Sequence, residues 1–278
     1  MSAQRVRCRL ISNQWVTPTV VSVRFVAVKK IRFEPGQFLS VVVPLETLGA
    51  SHPLKPKAAD RRKALRRAYS FAAFPTKKEP KIYELCVKVL IGGPGSQYLA
   101  SLGAGEEFEV MAPYGDFIFE TPAERGVCFV ATGTGIAPLR SMMQSPVFAA
   151  RTPGSSLLLF GARAEDEILY PGEFEKAGFR VVHAISQVEE SKVDSLPDSA
   201  FPGRVTDFLK TLPSEWPWAR TDFYLCGNGK MVEEVRDFLV QERGVNLKHI
   251  FLEIYYSAAQ LSSAPELPGI PEKKKRVA

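Results

Sequence analysis

Two glycine turns carry the strongest chemical signal in this chain. Thr132-Gly133-Thr134-Gly135-Ile136-Ala137-Pro138 follows an apolar run and opens a helical stretch. Glycines there let backbone approach a pyrophosphate, and the helix start offers N–H donors with a positive dipole. Pro138 suits the first helical turn, where a missing N–H costs nothing. This spacing points to a bound dinucleotide rather than a plain tight turn. Tyr224-Leu225-Cys226-Gly227-Asn228-Gly229 repeats the strand, glycine turn and helix order. Cys226 ends its strand and reads equally as an inert buried thiol or as a functional one.

The front half holds weaker signals. Arg66-Arg67-Ala68-Tyr69-Ser70 enters an apolar run. An arginine there can pair with phosphate through bidentate hydrogen bonds, a tyrosine can lie against a planar ring, and a serine can hydrogen-bond to it. Gly92-Gly93-Pro94-Gly95-Ser96 stands between a strand and a short helical segment. It reads as a hairpin connection or as a nest of N–H groups for phosphate, with the second favoured.

These residues need a frame to hold them, and the sequence pattern changes near residue 125. Before it, short runs at 20–28, 38–43, 82–90, 108–111 and 117–119 alternate with Pro and Gly turns. Such spacing predicts an antiparallel barrel over residues 1–121. After it, buried-strand runs at 126–131, 156–160, 180–185, 223–226 and 250–255 alternate with helical segments. One helix is expected over 230–241, with Met231, Val235, Phe238 and Leu239 on one face and Gly244 as its stop. This alternation predicts a Rossmann-like five-stranded parallel sheet over 126–256. In the order 3-2-1-4-5, the two glycine turns flank one crevice. Residues 257–278, rich in Ser, Pro and Lys, are expected to be an extended tail. Residues 45–66 form a long loop-like stretch whose role the pattern leaves open.

The 278 residues allow about two domains, and 45% hydrophobic with 24% charged residues fits a globular chain. No apolar run is long enough to span a bilayer and no secretory apolar segment follows Arg5, Arg7 and Arg9, so a cytoplasmic location is expected. Net charge is +6 but uneven: residues 1–125 carry +8 and residues 126–256 carry −4. A basic front attracts an anionic partner. Residues 52–67 hold seven Lys or Arg against Asp60 alone, and Lys273-Lys274-Lys275-Arg276 closes the tail. Nucleic acid is disfavoured as the target of either run, because solvated basic segments are the commoner case. The cysteines at 8, 86, 128 and 226 have neither zinc nor iron–sulfur spacing, so no fused iron–sulfur domain and no metal site is expected.

Taken in order, these motifs resemble the ferredoxin–NADP⁺ reductase superfamily of flavoproteins. Phe33-Glu34-Pro35-Gly36-Gln37-Phe38 is similar to its PGQF turn, and Arg67-Ala68-Tyr69-Ser70 to its RxYS motif. Cys86-Val87-Lys88 resembles the next flavin-lining strand, and Gly93-Pro94-Gly95-Ser96 the GxxS pyrophosphate turn. Ala112-Pro113-Tyr114-Gly115-Asp116-Phe117 resembles its GPxGxF segment, Gly133 to Pro138 its nucleotide turn, and Cys226-Gly227 its catalytic turn. Phe160-Gly161-Ala162-Arg163 and the Asp166 to Tyr170 stretch match its second strand and loop.

The resemblance implies an FAD barrel followed by a nicotinamide-nucleotide domain. Hydride would pass from nicotinamide C4 to flavin N5. Arg67 would neutralise flavin phosphates, Tyr69 would pack on the isoalloxazine, and Ser70 would sit near N5. Ala68, Cys86, Val87, Lys88, Gly93, Gly95 and Ser96 would complete the flavin site. Thr132, Gly133, Thr134, Gly135, Pro138, Gly161, Arg163, Ser186, Gln187, Cys226, Gly227 and Met231 would hold NADPH or NADH. Ser186-Gln187 keeps the serine of NADPH-specific members but lacks their arginine, which leaves only a slight lean to NADPH. Cys226 and Glu253 would stand with Ser70 at the catalytic centre. Glu253-Ile254-Tyr255 resembles the family's Glu-x-aromatic ending, yet 23 residues follow. Tyr255, Tyr256 or the tail would therefore cover the ring. The leading expectation is a reductase delivering electrons to an acidic carrier such as ferredoxin or flavodoxin. The alternatives are an electron-transfer subunit of a multicomponent oxygenase or dehydrogenase complex and, remotely, a non-catalytic nucleotide-sensing module.

Overall fold

A computed structural model describes residues 2–47, 64–151 and 156–255. The basic run from 52 to 63, Tyr256 and the tail lie outside the described residues. The front half is one antiparallel sheet of six strands: β1 (Gln4–Thr17), β2 (Val20–Ala27), β3 (Phe38–Pro44), β4 (Ala64–Ser70), β5 (Ile82–Lys88) and β6 (Glu107–Tyr114). Their order is β4-β3-β6-β1-β2-β5. A Phe71–Leu85 bridge joins the two edges, so the sheet curls into a barrel. Strict alternation drives this: Val6, Cys8 and Leu10 of β1 are buried while Arg5, Arg7 and Arg9 face water. Helix α1 (Pro94–Ser101) lies against the barrel, its carbonyl end gathered by Asn13 Nδ2, which donates to the carbonyls of Ala100 and Leu102 at 3.0 and 2.8 Å.

The back half is a parallel sheet: β7 (Gly126–Thr132), β8 (Ser156–Ala162), β9 (Arg180–Ile185), β10 (Ala200–Pro202), β11 (Thr221–Asn228) and β12 (Ile250–Tyr255). Its order is β10-β9-β8-β7-β11-β12. The expected 3-2-1-4-5 order is present, but the sheet has six strands rather than five. The additional β10 is three residues at the edge, ending in Pro202, where a strand needs no outward N–H. Helices α2 (Ile136–Met143), α3 (Pro146–Ala149) and α4 (Glu173–Lys176) cover one face; α5 (Val205–Thr211) and α6 (Gly229–Asp237) cover the other. Covering both faces buries every residue of β7 before Thr132, which explains the unbroken apolar run. The expected helix over 230–241 begins at Gly229, where Asn228 Oδ1 caps the Lys230 and Met231 N–H groups, and its final turn widens over Phe238–Glu242.

The run at 117–119 is not a strand. No neighbour offers it a ladder; Phe117 and Phe119 instead drop into the core and pack on Tyr224, with ring centroids at 5.9 and 5.4 Å. That core is continuous across the seam: Val20, Ala72 and Cys86 of the barrel side join Phe129, Ala131, Met142 and Tyr224 of the parallel-sheet side. Arg151 Nη1 pins the crossing segment through the carbonyls of Thr121 and Pro122, at 2.8 and 2.6 Å.

Candidate functional site

The strand order reverses between β7 and β11, and the two glycine turns interlock there. A Cβ on Gly135 would lie 2.3 Å from the Cys226 carbonyl oxygen and 2.7 Å from Gly227 Cα. A Cβ on Gly227, whose φ is +133°, would lie 2.5 Å from Thr132 Oγ1. Thr132 Oγ1 accepts from the Asn228 N–H at 3.0 Å. Only glycine allows these backbones to close up.

Over this knot opens a cleft of about 620 Å³, within the usual range for ligand sites. Thr132, Gly133, Thr134, Gly161, Arg163, Ser186, Gln187, Gly227, Met231 and Tyr255 all line it. Gly135 and Pro138 lie beneath, buried at the start of α2, and shape the turn without facing the cleft. The N-cap of α2 has no side-chain acceptor, and the Ile136 N–H donates to the Gly133 and Thr134 carbonyls, so it is the Gly133–Thr134 turn, which lines the cleft, that presents backbone to an anion. These features fit a nicotinamide dinucleotide, its pyrophosphate on the turn and its ends over β8–β9 and β11–β12.

Arg163 is not free in the cleft. Its Nε donates to both Glu167 carboxylate oxygens at 3.0 and 3.2 Å, and its Nη2 also pairs with Glu167. Ser186 Oγ donates to the Ala162 carbonyl at 3.3 Å. Lys88, Arg204 and Lys230 line the same cleft. Arg204 and Lys230 are not among the residues that the motifs single out; each follows a glycine turn at a helix start, and that is the signal the sequence offers for them.

On the barrel side, β4 alternates. Arg67 and Tyr69 face α1: a Cβ on Gly95 would meet Tyr69 Oη at 2.6 Å and Arg67 Cγ at 2.8 Å. Gly95 thus brings the open end of α1 against an arginine stem, a cradle a larger residue would fill. Gly93 caps α1 with no side-chain bond, which again leaves N–H donors for phosphate. These residues fit the pyrophosphate of FAD. Ser96 Oγ is engaged within its own loop, donating to the Gly93 carbonyl and accepting from the Leu90 N–H, both at 3.2 Å. On β5, Val87 points into the barrel core, Cys86 into the seam and Lys88 into the cleft.

Ser70 faces the other way, across the seam. Its hydroxyl donates to Glu253 Oε1 at 3.1 Å and lies 2.8 Å from the Tyr255 hydroxyl. Cys226 pairs in register with Glu253 on the neighbouring strand and packs in the same buried core as Tyr255. Residues distant in sequence are therefore wired into one cluster, Tyr255–Ser70–Glu253, with Cys226 against it. Burial pushes the Glu253 carboxyl up to about 7, only partly offset by hydrogen bonds from Ser70 and Tyr255. Burial, with Glu253 nearby, holds the Cys226 thiol well above its ordinary value. At neutral pH Cys226 is a neutral thiol, suited to packing and alignment rather than to nucleophilic attack. Within this cluster Glu253 is the group whose shift carries it toward neutral pH.

Known proteins agree with this geometry. Residues 7–119 match the family model described as an oxidoreductase FAD-binding domain, and residues 129–237 that of an oxidoreductase NAD-binding domain. The chain is 29% identical over 260 residues to ferredoxin–NADP reductase B of Sorangium cellulosum, covering 92% of this chain and 99% of that one. It is 26% identical over 244 residues to the toluate 1,2-dioxygenase electron transfer component of Pseudomonas putida, covering 86% of this chain but 63% of the relative. A ferredoxin NADP⁺ reductase from Neisseria gonorrhoeae, solved with bound FAD and NADP, superposes with a TM-score of 0.69 at 18% identity, over 90% of this chain and 98% of that one. Barrel, parallel sheet, glycine turns and both family models coincide: the chain belongs to the ferredoxin–NADP⁺ reductase superfamily of FAD- and NAD(P)H-dependent oxidoreductases.

Proposed function

We propose that this chain oxidises a reduced nicotinamide dinucleotide, NADPH in preference to NADH, and delivers the electrons to a separate acidic carrier protein such as ferredoxin or flavodoxin. The observation that carries the reading is the Ser70–Glu253 hydrogen bond. It ties the flavin-motif strand to the last strand of the nucleotide sheet, buried beside Tyr255, which lines the cleft. FAD, when bound, supplies a two-electron acceptor that can release its electrons singly.

The protein's part is positioning. The Gly133–Gly135 turn holds the pyrophosphate, while Arg204 and Lys230 place positive charge in the same cleft, which favours a 2′-phosphorylated ribose. Tyr255 lines one end of the cleft, and the fully buried Cys226 packs beneath it. Ser70 Oγ stands between the Tyr255 hydroxyl and Glu253 Oε1, so one proton can be held at Glu253 and passed through Ser70. Phe117, Phe119 and Tyr224 fill the seam below and exclude water. This is catalysis by alignment in a closed, apolar setting.

The test is the absorption spectrum of the purified protein and its anaerobic titration. Flavin bands should be present and should bleach at lower NADPH than NADH concentration. A colourless protein that binds nucleotide would instead support a nucleotide-sensing module. Bleaching at lower NADH would overturn the donor assignment.

The +8 front half supports the acidic carrier. Reduction of ferredoxin or flavodoxin should fall roughly tenfold as salt rises from about 20 to about 200 mM, while ferricyanide reduction changes little. Equal salt responses would remove the electrostatic docking argument. The toluate dioxygenase relative favours a second reading, a reductase component dedicated to an oxygenase. Stable co-purification with a partner and slow reduction of free carriers would mark that case.

A further inference from the structure

Among the described residues, the most heavily bonded buried charge lies outside the cluster just described. Arg140 sits on α2, five residues beyond Gly135, and is 8% exposed. Its Nε and Nη2 grip both oxygens of Glu173 at 2.7 and 3.1 Å. Its Nη1 turns across the seam, donating to the Ala72 carbonyl at 2.8 Å and lying 3.3 Å from Glu84 Oε2. The guanidinium also stacks over Tyr170, 4.2 Å from the ring centroid.

The partners are as telling as the arginine. Ala72 lies two residues after Ser70, and Glu84 lies two residues before Cys86, so both sit on the barrel segments that carry the flavin-like motifs. Glu84 Oε1 also accepts from Ser22 Oγ at 3.1 Å and from the Tyr170 hydroxyl at 3.2 Å. Among the described residues, Tyr170 is the one non-glycine with positive φ, at +55°. That backbone state is costly for an aromatic residue, and it aims the Tyr170 ring beneath Arg140. A planar fork with five donors is needed to serve Glu173, Ala72 and Glu84 together, which lysine cannot do.

We propose that Arg140 is a positioning residue: through Glu84 and Ala72 it locks the nucleotide-turn helix to the flavin strands and so sets the alignment of the two halves. Glu173 belongs to the same half as Arg140 and only holds the guanidinium. Glu84 is the arm that crosses. The inference rests on the function proposed above for its kinetic consequence, but the lock itself is testable without any flavin chemistry.

The native cysteines report it. All four are buried: Cys86 and Cys226 at the seam, Cys8 inside the barrel and Cys128 inside the parallel-sheet core. The experiment treats the full chain with a thiol reagent and maps the labelled sites by mass spectrometry, comparing wild type, Glu84→Gln and Glu173→Gln. The expected result is labelling of Cys86 and Cys226 roughly tenfold faster in Glu84→Gln, with Cys8 and Cys128 unchanged and Glu173→Gln within about twofold of wild type. In rapid mixing, flavin bleaching at saturating nucleotide should slow roughly tenfold in Glu84→Gln while the nucleotide dissociation constant holds. Simultaneous labelling of all four thiols, no change in labelling, or equal effects of both variants would overturn the proposal. If Glu84→Gln yields no folded protein, Tyr170→Phe removes one bond to the same carboxylate and carries the same outcomes. Absence of reductase activity in the wild type would sink the proposed function and leave the thiol result standing.

Discussion

Gly135→Ala is expected to lower nicotinamide-driven electron transfer roughly 100-fold or more, while FAD content is retained. The added Cβ would sit 2.3 Å from the Cys226 carbonyl oxygen, 2.6 Å from its carbon and 2.7 Å from Gly227 Cα. All three atoms are backbone, so no side chain can swing aside. The start of α2 and the end of β11 must separate, which carries Gly133 and Thr134 away from Cys226. Overpacking of this kind costs about 1–3 kcal/mol in stability. Gly133→Ala is the control within the same turn. Nothing lies within 4 Å of the place its methyl would take, and its φ of +52° falls in the left-handed region that alanine tolerates at about 1–2 kcal/mol. Its methyl enters the cleft where the pyrophosphate would sit, so Gly133→Ala should raise the nucleotide KM while the rate at saturating nucleotide stays far closer to wild type than in Gly135→Ala. Ferricyanide reductase rates, flavin absorbance and melting temperatures separate these effects. A Gly135→Ala enzyme within threefold of wild type would refute the interlock as a functional device.

The contrast between these two glycines shows what a sequence conceals. The turn itself is legible, because strand, glycines and proline obey local rules. Which glycine touches which backbone is not, since Cys226 and Gly227 arrive from about 90 residues away. The barrel strands are mostly legible from alternation. In β1 the pattern Arg5-Val6-Arg7-Cys8-Arg9-Leu10 is as regular as any strand, yet its arginines draw the eye toward an N-terminal charge run. β10 is too short to carry a period. Phe117 and Phe119 alternate like a strand but serve the core as plugs, because burial rewards the side chains whether or not a ladder forms.

The site divides in the same way. Ser70, Cys226, Glu253 and Tyr255 each stand in a recognisable motif, but their convergence is a tertiary fact. Arg140 belongs to no motif. Its signal is nonetheless present: a single charge in Ile136-Ala137-Pro138-Leu139-Arg140-Ser141-Met142-Met143, a helix buried along its whole length. A charge so placed must be paired, and the pairing partners must come from another element. Composition tells only the sign of the front half; five of its 19 Lys and Arg, at 55–63, lie outside the described residues.

Glu253 gives the second large effect, and its sign follows from burial. In the unfolded chain a glutamate titrates near 4.5; in the fold this one is pushed up to about 7. Between those values the native state holds a proton that the unfolded state has released. Stability is therefore fully present below about pH 4.5 and is lost as pH rises through about 7, by about 3 kcal/mol at 1.36 kcal/mol per pH unit. Paired carboxylates elsewhere oppose this trend, so the clean measurement is a difference. Glu253→Gln cannot ionise and should keep the hydrogen bond to Ser70. The melting temperature of the variant minus that of wild type should rise between about pH 5 and about pH 8, then level off. Catalysis should show the same group: wild-type turnover at saturating nucleotide should inflect near pH 7, where Glu253 changes between holding and accepting a proton at Ser70 Oγ. The glutamine variant should lose the inflection and run roughly 10–100-fold slower. A pH-independent stability difference would mean that water reaches the carboxylate and keeps it near its ordinary value. An unchanged inflection in the variant would assign the titration to another group and leave Glu253 as a structural bridge between Ser70 and the last strand.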